Sequence, residues 1–569
     1  MKKTRITAII ALVICFAFLL TSCGSQSSTS SWDLAAKQID IVKGTNPEKS
    51  PEVVSKRKDT LLIGSTDFNG IFNPGWAESA YDQAVTFLTN GSLVEPDFDA
   101  KPIPALADFK ISEDNLTYTF TVKDGVKFSD GTPLTAKDIE FTYYVLCDPS
   151  YDGPTDSAST GIVGYKDYVE NKADTISGIK VINDKTIEIK LEQVNAKAIW
   201  FLGSSVMSKA YYGKDFVKGN LDGVKALHGK PMGAGPYKLV EFKLGESITL
   251  VANDNYIKGA PKIKNVIYSV TPEGQELERV TLGEVDIDFP TVGLDNIEEA
   301  KNAGFIDIYR FPTNGYGYVG FRNDNPKYSD KRVRQALLHA LNRKDVVEAV
   351  FGPYANVINI PNSKVSWAYT EDGINKYEFD LTKAENLLKE AGWTKNANGK
   401  LEKDGEVFKI LFTTVQGHSV TGPMLPVMKD DYAKLGIDVE IEYVDFPTLL
   451  DKANSGKIDM WFMAWGLVAD PDPYGVYGSD GPQNQYAYKS AEADKYMKEA
   501  LLTTDIEKRK ESYKKVYQIL NDDVPCLWVY QRSDMWAVNS RVKNFKVSPY
   551  RDYYYDLYQT ELTDPGASK

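Results

Sequence analysis

One apolar run governs how this chain can fold. Ile6 to Leu20 is almost wholly apolar, follows the basic residues Lys2, Lys3 and Arg5, and has no counterpart elsewhere in the sequence. Its 15 residues fall short of the roughly 20 that a membrane-spanning helix requires. A positive start followed by a short apolar stretch is a secretory signal. The rest of the chain is therefore expected to fold in water, outside the cytoplasm.

Leu20-Thr21-Ser22-Cys23 comes next. It resembles the bacterial lipobox, in which small residues admit the signal peptidase and the cysteine thiol receives a diacylglycerol. Cys23 is read as the first mature residue, with 1–22 as the signal peptide. Cleavage removes three positive charges and no acids, so the formal charge of −13 becomes −16. Gly24 to about Asp59 is rich in Ser, Lys, Pro and Thr and carries no sustained apolar period. The segment 23–59 is thus expected to be a lipidated flexible tether. Two acyl chains suffice for stable attachment where one does not.

Beyond the tether, 42% hydrophobic and 12% aromatic residues can fill several cores. The charge balance, 66 basic against 79 acidic residues, and the lack of a basic run longer than Lys56-Arg57-Lys58 argue against nucleic-acid binding. Small solutes and proteins are the expected partners of a monomer. Tyr118 to Val122 alternates as a strand does, and Val439 to Tyr443 and Met460 to Met463 read as further strands. Thr135, with Asp138 three residues on, signals a helix start whose hydroxyl accepts a backbone N–H. Helices are expected at Lys331 to Val350, Thr382 to Ala391, Leu425 to Leu435 and Asp505 to Asn521, giving an α/β mixture.

Motifs of catalysis and metal binding are missing. There is no H-E-x-x-H, Walker A or G-x-G-x-x-G, and Gly417 to Thr421 fails as a nucleophile elbow because Thr421 stands where the second glycine must be. His228, His339 and His418 are the only histidines, and none lies in a recognisable triad setting. Asp470 to Gly475 hints at a calcium loop but has Tyr474 at the fifth position. Cys147 and Cys526 are either bridged or two buried thiols. No catalytic residue, cofactor or metal is expected.

Several segments together resemble one family. They are Asp130-Gly131-Thr132-Pro133-Leu134-Thr135-Ala136-Lys137-Asp138-Ile139, Gly233-Ala234-Gly235-Pro236-Tyr237, Asn253 to Tyr256, Val333-Arg334-Gln335-Ala336-Leu337, Leu341-Asn342-Arg343, and Ala391-Gly392-Trp393. In this order they are similar to the extracytoplasmic solute-binding proteins of ABC importers, in the group handling oligopeptides, dipeptides and nickel complexes. The resemblance runs from about residue 60 to 560. It implies a two-lobed, periplasmic-binding-protein-like α/β fold with hinge crossovers and an extra inserted subdomain. Lobe one would comprise about 60–312 plus 530–569, with the insertion at 97–228, and lobe two 313–529. The chain would cross near Pro312 to Val319 and return near Val524 to Tyr530. Thr313-Asn314-Gly315-Tyr316-Gly317-Tyr318, glycine-rich and aromatic, could absorb hinge motion and face a ligand.

The same resemblance suggests the ligand contacts. Trp465 and the loop to Tyr474 stand where family members meet their ligand. Oligopeptide and dipeptide binders carry an acid three residues after this tryptophan, paired with the ligand's α-ammonium. Here Val468 holds that place and Asp470 follows, so Asp470 either meets the ammonium from a shifted loop or caps the turn of Pro471 and Pro473. Asn69, Phe72, Asn73 and Tyr81 would form the opposing wall, with Tyr316 and Tyr530 at the two crossings. The implied function is capture of an oligopeptide between the lobes and delivery to a membrane permease. An oligosaccharide or a metal complex on the same fold is the alternative, and a secreted hydrolase would need a nucleophile–base pair that the sequence does not offer.

Overall fold

The computed structural model describes residues 38–564. The signal peptide, Cys23 and the first part of the expected tether lie outside the described residues. The part of that expected tether within the described residues is folded, so the folded body begins before residue 59. Asp40–Val42 is a strand paired antiparallel with Ile308–Arg310, Pro47–Lys49 is a turn of 3-10 helix, and Glu52–Ser55 is a short helix whose Val54 is fully buried. Lys43 clamps the segment by donating to Asp307 and to the Tyr309 hydroxyl. Three-residue strands carry too little pattern to register in sequence. Only pairing with a strand over 260 residues away reveals this one.

Most strands belong to one large mixed sheet that runs through both lobes. Lobe one contributes Thr60–Ser65, Asn265–Val270, Ile287–Asp288 and Ile306–Pro312; lobe two contributes Gly315–Phe321, Lys409–Val415, Asp438–Val444 and Met460–Gly466. Joining them is the longest strand, Leu527–Asn539. Its first part pairs with Gly315–Phe321 and its last part with Ile306–Pro312. The chain thus crosses at Thr313–Asn314 and returns at Gln531–Ser533, with Thr313 N–H donating to the Arg532 carbonyl where the two passes meet. The return lies just beyond the expected Val524–Tyr530, because Tyr530 still pairs with Gly317 inside lobe two.

An inserted unit forms its own four-stranded sheet from Ala107–Ile111, Thr117–Val122, Ile179–Val181 and Thr186–Lys190. Its separate core includes Phe120, Tyr143, Ile187 and Leu202. The helix Ala136–Leu146 packs on it. Asp138 secures the helix start by accepting from both the N–H and the hydroxyl of Thr135, and the Thr135 side chain accepts from the Asp138 N–H in return, which closes the expected capping box. In lobe two, the helix expected over Lys331–Val350 is two helices, Lys331–Ala340 and Arg343–Phe351. Asn342 interrupts them, and its side chain caps the second by accepting from Asp345 N. Both helices bury the stripe Val333, Ala336, Leu337 and Val346 against the sheet.

The glycines of Gly315–Phe321 serve packing. A Cβ on Gly317 would lie 2.4 Å from the Tyr530 ring, and one on Gly320 would lie 2.3 Å from the Trp461 indole. They are flat places on which two rings rest, and their backbones show no left-handed conformation. Cys147 and Cys526 are both buried free thiols, with no bridge between them. Among the described residues no helix is long and apolar enough to cross a membrane.

Candidate functional site

Strand directions define the site. Thr60–Ser65, Asn265–Val270 and Ile287–Asp288 are mutually parallel and the last is antiparallel to the crossing strand, so all three run toward the crossing. In lobe two, Met460–Gly466 is antiparallel to Gly315–Phe321, and Lys409–Val415 is parallel to Met460–Gly466, so these also end there. The carboxyl ends of five strands from two lobes thus converge on one gap, the place where open α/β sheets hold ligands.

The crossing strand forms the floor of the gap. It is buried along its whole length except at Arg532, Ser533 and Asp534. Arg532 and Asp534 share a face and form an ion pair at 3.4 Å. Around them stand Phe289, 5.9 Å from the Arg532 guanidinium, and Tyr81. Asp552 lies close enough for its carboxyl to feel the charge of Asp534. Arg532, Asp534 and Asp552 are enclosed by protein yet keep part of their surface accessible.

Four contacts close the gap from one lobe to the other. Lys197 of the inserted unit donates to Asp472 at 2.6 Å, and beside it Ala196 N–H donates to the Leu501 carbonyl at 2.9 Å. Ser419 N–H donates to Glu273 at 3.1 Å. Tyr550, in the C-terminal segment, donates to the Val365 carbonyl at 2.7 Å. The lobes are therefore in a closed arrangement, with Asp472 only 2% exposed in its pair.

Some of the residues expected to meet a ligand remain accessible. Trp465 is half-buried: its ring stacks on Tyr318 at 6.3 Å with an 8° interplanar angle, and its N–H donates to Tyr486. Asn69 is exposed, and Tyr81 is exposed with its ring in a T-shaped contact with Phe68. Val468, at the spacing of the ammonium anchor, is 74% exposed.

The other expected contacts are engaged elsewhere. Asp470 is buried, and both of its oxygens accept from Arg509 Nη2 at 2.8 Å. Its Oδ1 also caps Asp472 N at 3.2 Å. The expectation of a free carboxylate for an ammonium is thereby corrected, while its role in shaping the turn holds. Tyr316 turns into a core of lobe two, with its hydroxyl 3.0 Å from that of Tyr477. Phe72 and Asn73 are fully buried, Asn73 donating to the Val224 carbonyl. Tyr530 packs between Phe351 and Phe462. Side chains near a ligand cleft in sequence include many that build its back, and burial tells the two sets apart. His418 uses Nδ1 to accept from Val420 N at 3.1 Å, so that nitrogen is occupied as a helix cap.

Comparison with known proteins agrees with this geometry. The model for bacterial extracellular solute-binding proteins, family 5, matches residues 101–487. The oligopeptide-binding protein AppA of Bacillus subtilis is 30% identical over 567 residues, covering 97% of this chain and 98% of AppA. The structure of AppA in complex with a nonapeptide superposes with a TM-score of 0.80 at 28% identity, over 89% of this chain and 99% of that one. Heme-binding protein A of Haemophilus influenzae is 26% identical over 506 residues, covering 86% of this chain and 87% of that protein.

Proposed function

The chain belongs to the bacterial extracellular solute-binding proteins, family 5, and from this premise we propose that it captures oligopeptides between its lobes and hands them to an ABC permease. The observation that carries the reading is the full-length likeness to AppA, whose structure holds a nonapeptide, together with a gap at the crossing strand whose floor carries both charges. A peptide presents amide edges, apolar side chains and termini of both signs. Trp465, Tyr81 and Phe289 supply apolar wall, which tolerates varied side chains.

Capture works without bond cleavage. Peptide contacts to both lobes exist together only when the lobes are closed, so peptide draws the open–closed equilibrium toward the closed state. The inter-lobe bonds of Lys197, Ala196, Ser419 and Tyr550 add to closure and set how long it lasts. Thermal melting against peptides and oligosaccharides tests the reading, since a ligand at a hundredfold excess over Kd stabilises by about 2.7 kcal/mol. Peptides are expected to raise the melting temperature and to reduce the radius of gyration in small-angle scattering. Stabilisation by oligosaccharides alone would overturn the peptide reading.

The same proposal includes a lipid anchor on Cys23 at the outer face of the cell membrane. Cys23→Ala should leave the folded body and its peptide binding intact while moving the protein from the membrane to the soluble fraction. Retention on membranes after that change would remove the anchor from the proposal.

A further inference from the structure

Within the gap, one carboxylate has no counter-charge of its own. Asp552 Oδ1 accepts from Tyr553 N at 2.7 Å, which caps the following turn. Around it stand the phenols of Tyr268, Tyr553, Tyr554 and Tyr555 and the carboxylate of Asp534. The neighbouring Arg551 is committed to Asp556 and Glu95. Arg532 faces Asp534. Two acids thus share one nearby guanidinium, and with both ionised the local sum is one negative charge in an enclosed space.

Enclosure makes that imbalance expensive, because a charge taken from water needs a partner. The carboxyl answers by holding its proton: burial pushes it up to about 7, against the Tyr553 N–H bond and with help from the charge of Asp534. The site lies beside Tyr550, which bonds lobe two, and near the half-buried middle of the crossing strand. It therefore fronts the ligand gap, where an incoming group can supply what the protein lacks. The loop after Trp465 cannot supply the anchor, since Val468 is apolar and Asp470 is held by Arg509.

We propose, on the basis of the peptide reading, that Asp552 together with Asp534 is the specificity-determining pair that holds a cationic group of the bound peptide, at the floor of the gap. The group is the α-ammonium or a Lys or Arg side chain. Asp552→Asn is the matched probe, because asparagine keeps the Tyr553 N–H bond and the shape while losing the charge.

Calorimetric titration with four peptides of one length tests this: one with a free N-terminus and no basic side chain, its N-acetylated form, and an N-acetylated peptide with one lysine and its norleucine counterpart. The wild type should bind the cation-bearing peptides more tightly than their neutral partners. Asp552→Asn should cost the cation-bearing peptides about tenfold or more and the neutral ones little. Lowering the pH below 7 should weaken the cation-bearing peptides more than the neutral ones, by up to about tenfold per pH unit, because the proton and the cation compete for one carboxylate, while His418, which lies near Arg532 and Glu273, acts on both kinds alike. Loss on acetylation alone identifies the α-ammonium, and loss on lysine replacement alone identifies a side chain. Equal effects of Asp552→Asn on charged and neutral peptides, with an unchanged melting temperature, overturn the proposal. Binding of none of the four by the wild type overturns the peptide reading instead, and this proposal with it.

Discussion

Asp470→Asn is expected to lower the stability of lobe two by about 3–5 kcal/mol, the usual cost of removing one partner from a buried ion pair. The Asp470 and Arg509 side chains are 6% and 5% exposed, and the two carboxylate oxygens each lie 2.8 Å from Arg509 Nη2. Arg509 is otherwise satisfied by the Ala500 carbonyl and the Tyr513 hydroxyl, and its plane lies 5.1 Å from the Trp367 ring. Without the carboxylate, the guanidinium stays buried and uncompensated. A lower melting temperature checks this, and the double change Asp470→Leu with Arg509→Leu should recover much of the loss, since apolar pairs replace buried ion pairs well. A peptide-binding loss also follows, because Asp470 caps Asp472, which takes the Lys197 ammonium across the gap. That loss should merge with the effect of Lys197→Ala instead of adding to it. N-acetylation of the peptide should cost Asp470→Asn and the wild type the same.

Asp286→Ala should destabilise by at least about 3–5 kcal/mol, again as an unpaired buried charge, and should do so through the opposite lobe. The carboxylate is fully buried and accepts four bonds: from Arg541 Nε and Nη2 at 2.9 Å each, from Arg57 Nη2 at 3.1 Å and from Leu62 N at 2.9 Å. Arg541 goes on to donate to the Arg57 and Thr60 carbonyls. One aspartate therefore ties the segment before Thr60, the first strand of lobe one and the chain after the crossing strand. Its loss should free the N-terminal segment for trypsin at Lys49, Lys56 or Lys58 well below the melting temperature. Resistance of these sites in the variant would show that the Asp40–Val42 strand holds the segment unaided.

What could be read from sequence was what repeats locally. Val333, Ala336 and Leu337 announce a helix by spacing, and Thr135 with Asp138 announces a helix start. The break at Asn342 was present as a capping residue, but the continuous apolar stripe on both sides masked it. Trp465 stood out through the family's order of motifs. Asp470 reads in sequence as either a ligand anchor or a turn cap, because its partner, Arg509, is 39 residues away and no local pattern links them. Arg532, Asp534 and Asp552 carried no signal at all. Their chemistry comes from lying where the strand leaves one lobe for the other, which only the pairing of Leu527–Asn539 reveals.

That strand has a mechanical consequence. A pivot made of two adjacent backbone passes, Thr313–Asn314 and Gln531–Ser533, moves by twisting, and atoms near it hardly shift while those far from it sweep wide arcs. Arg532 and Asp534 sit at the pivot, and Lys197 and Asp472 meet across the gap. A ligand group can settle at the floor while the lobes still swing, and a small rotation there becomes a large change in the outline of the two lobes. A partner that recognises the closed outline would sense occupancy from shape alone, without touching the ligand.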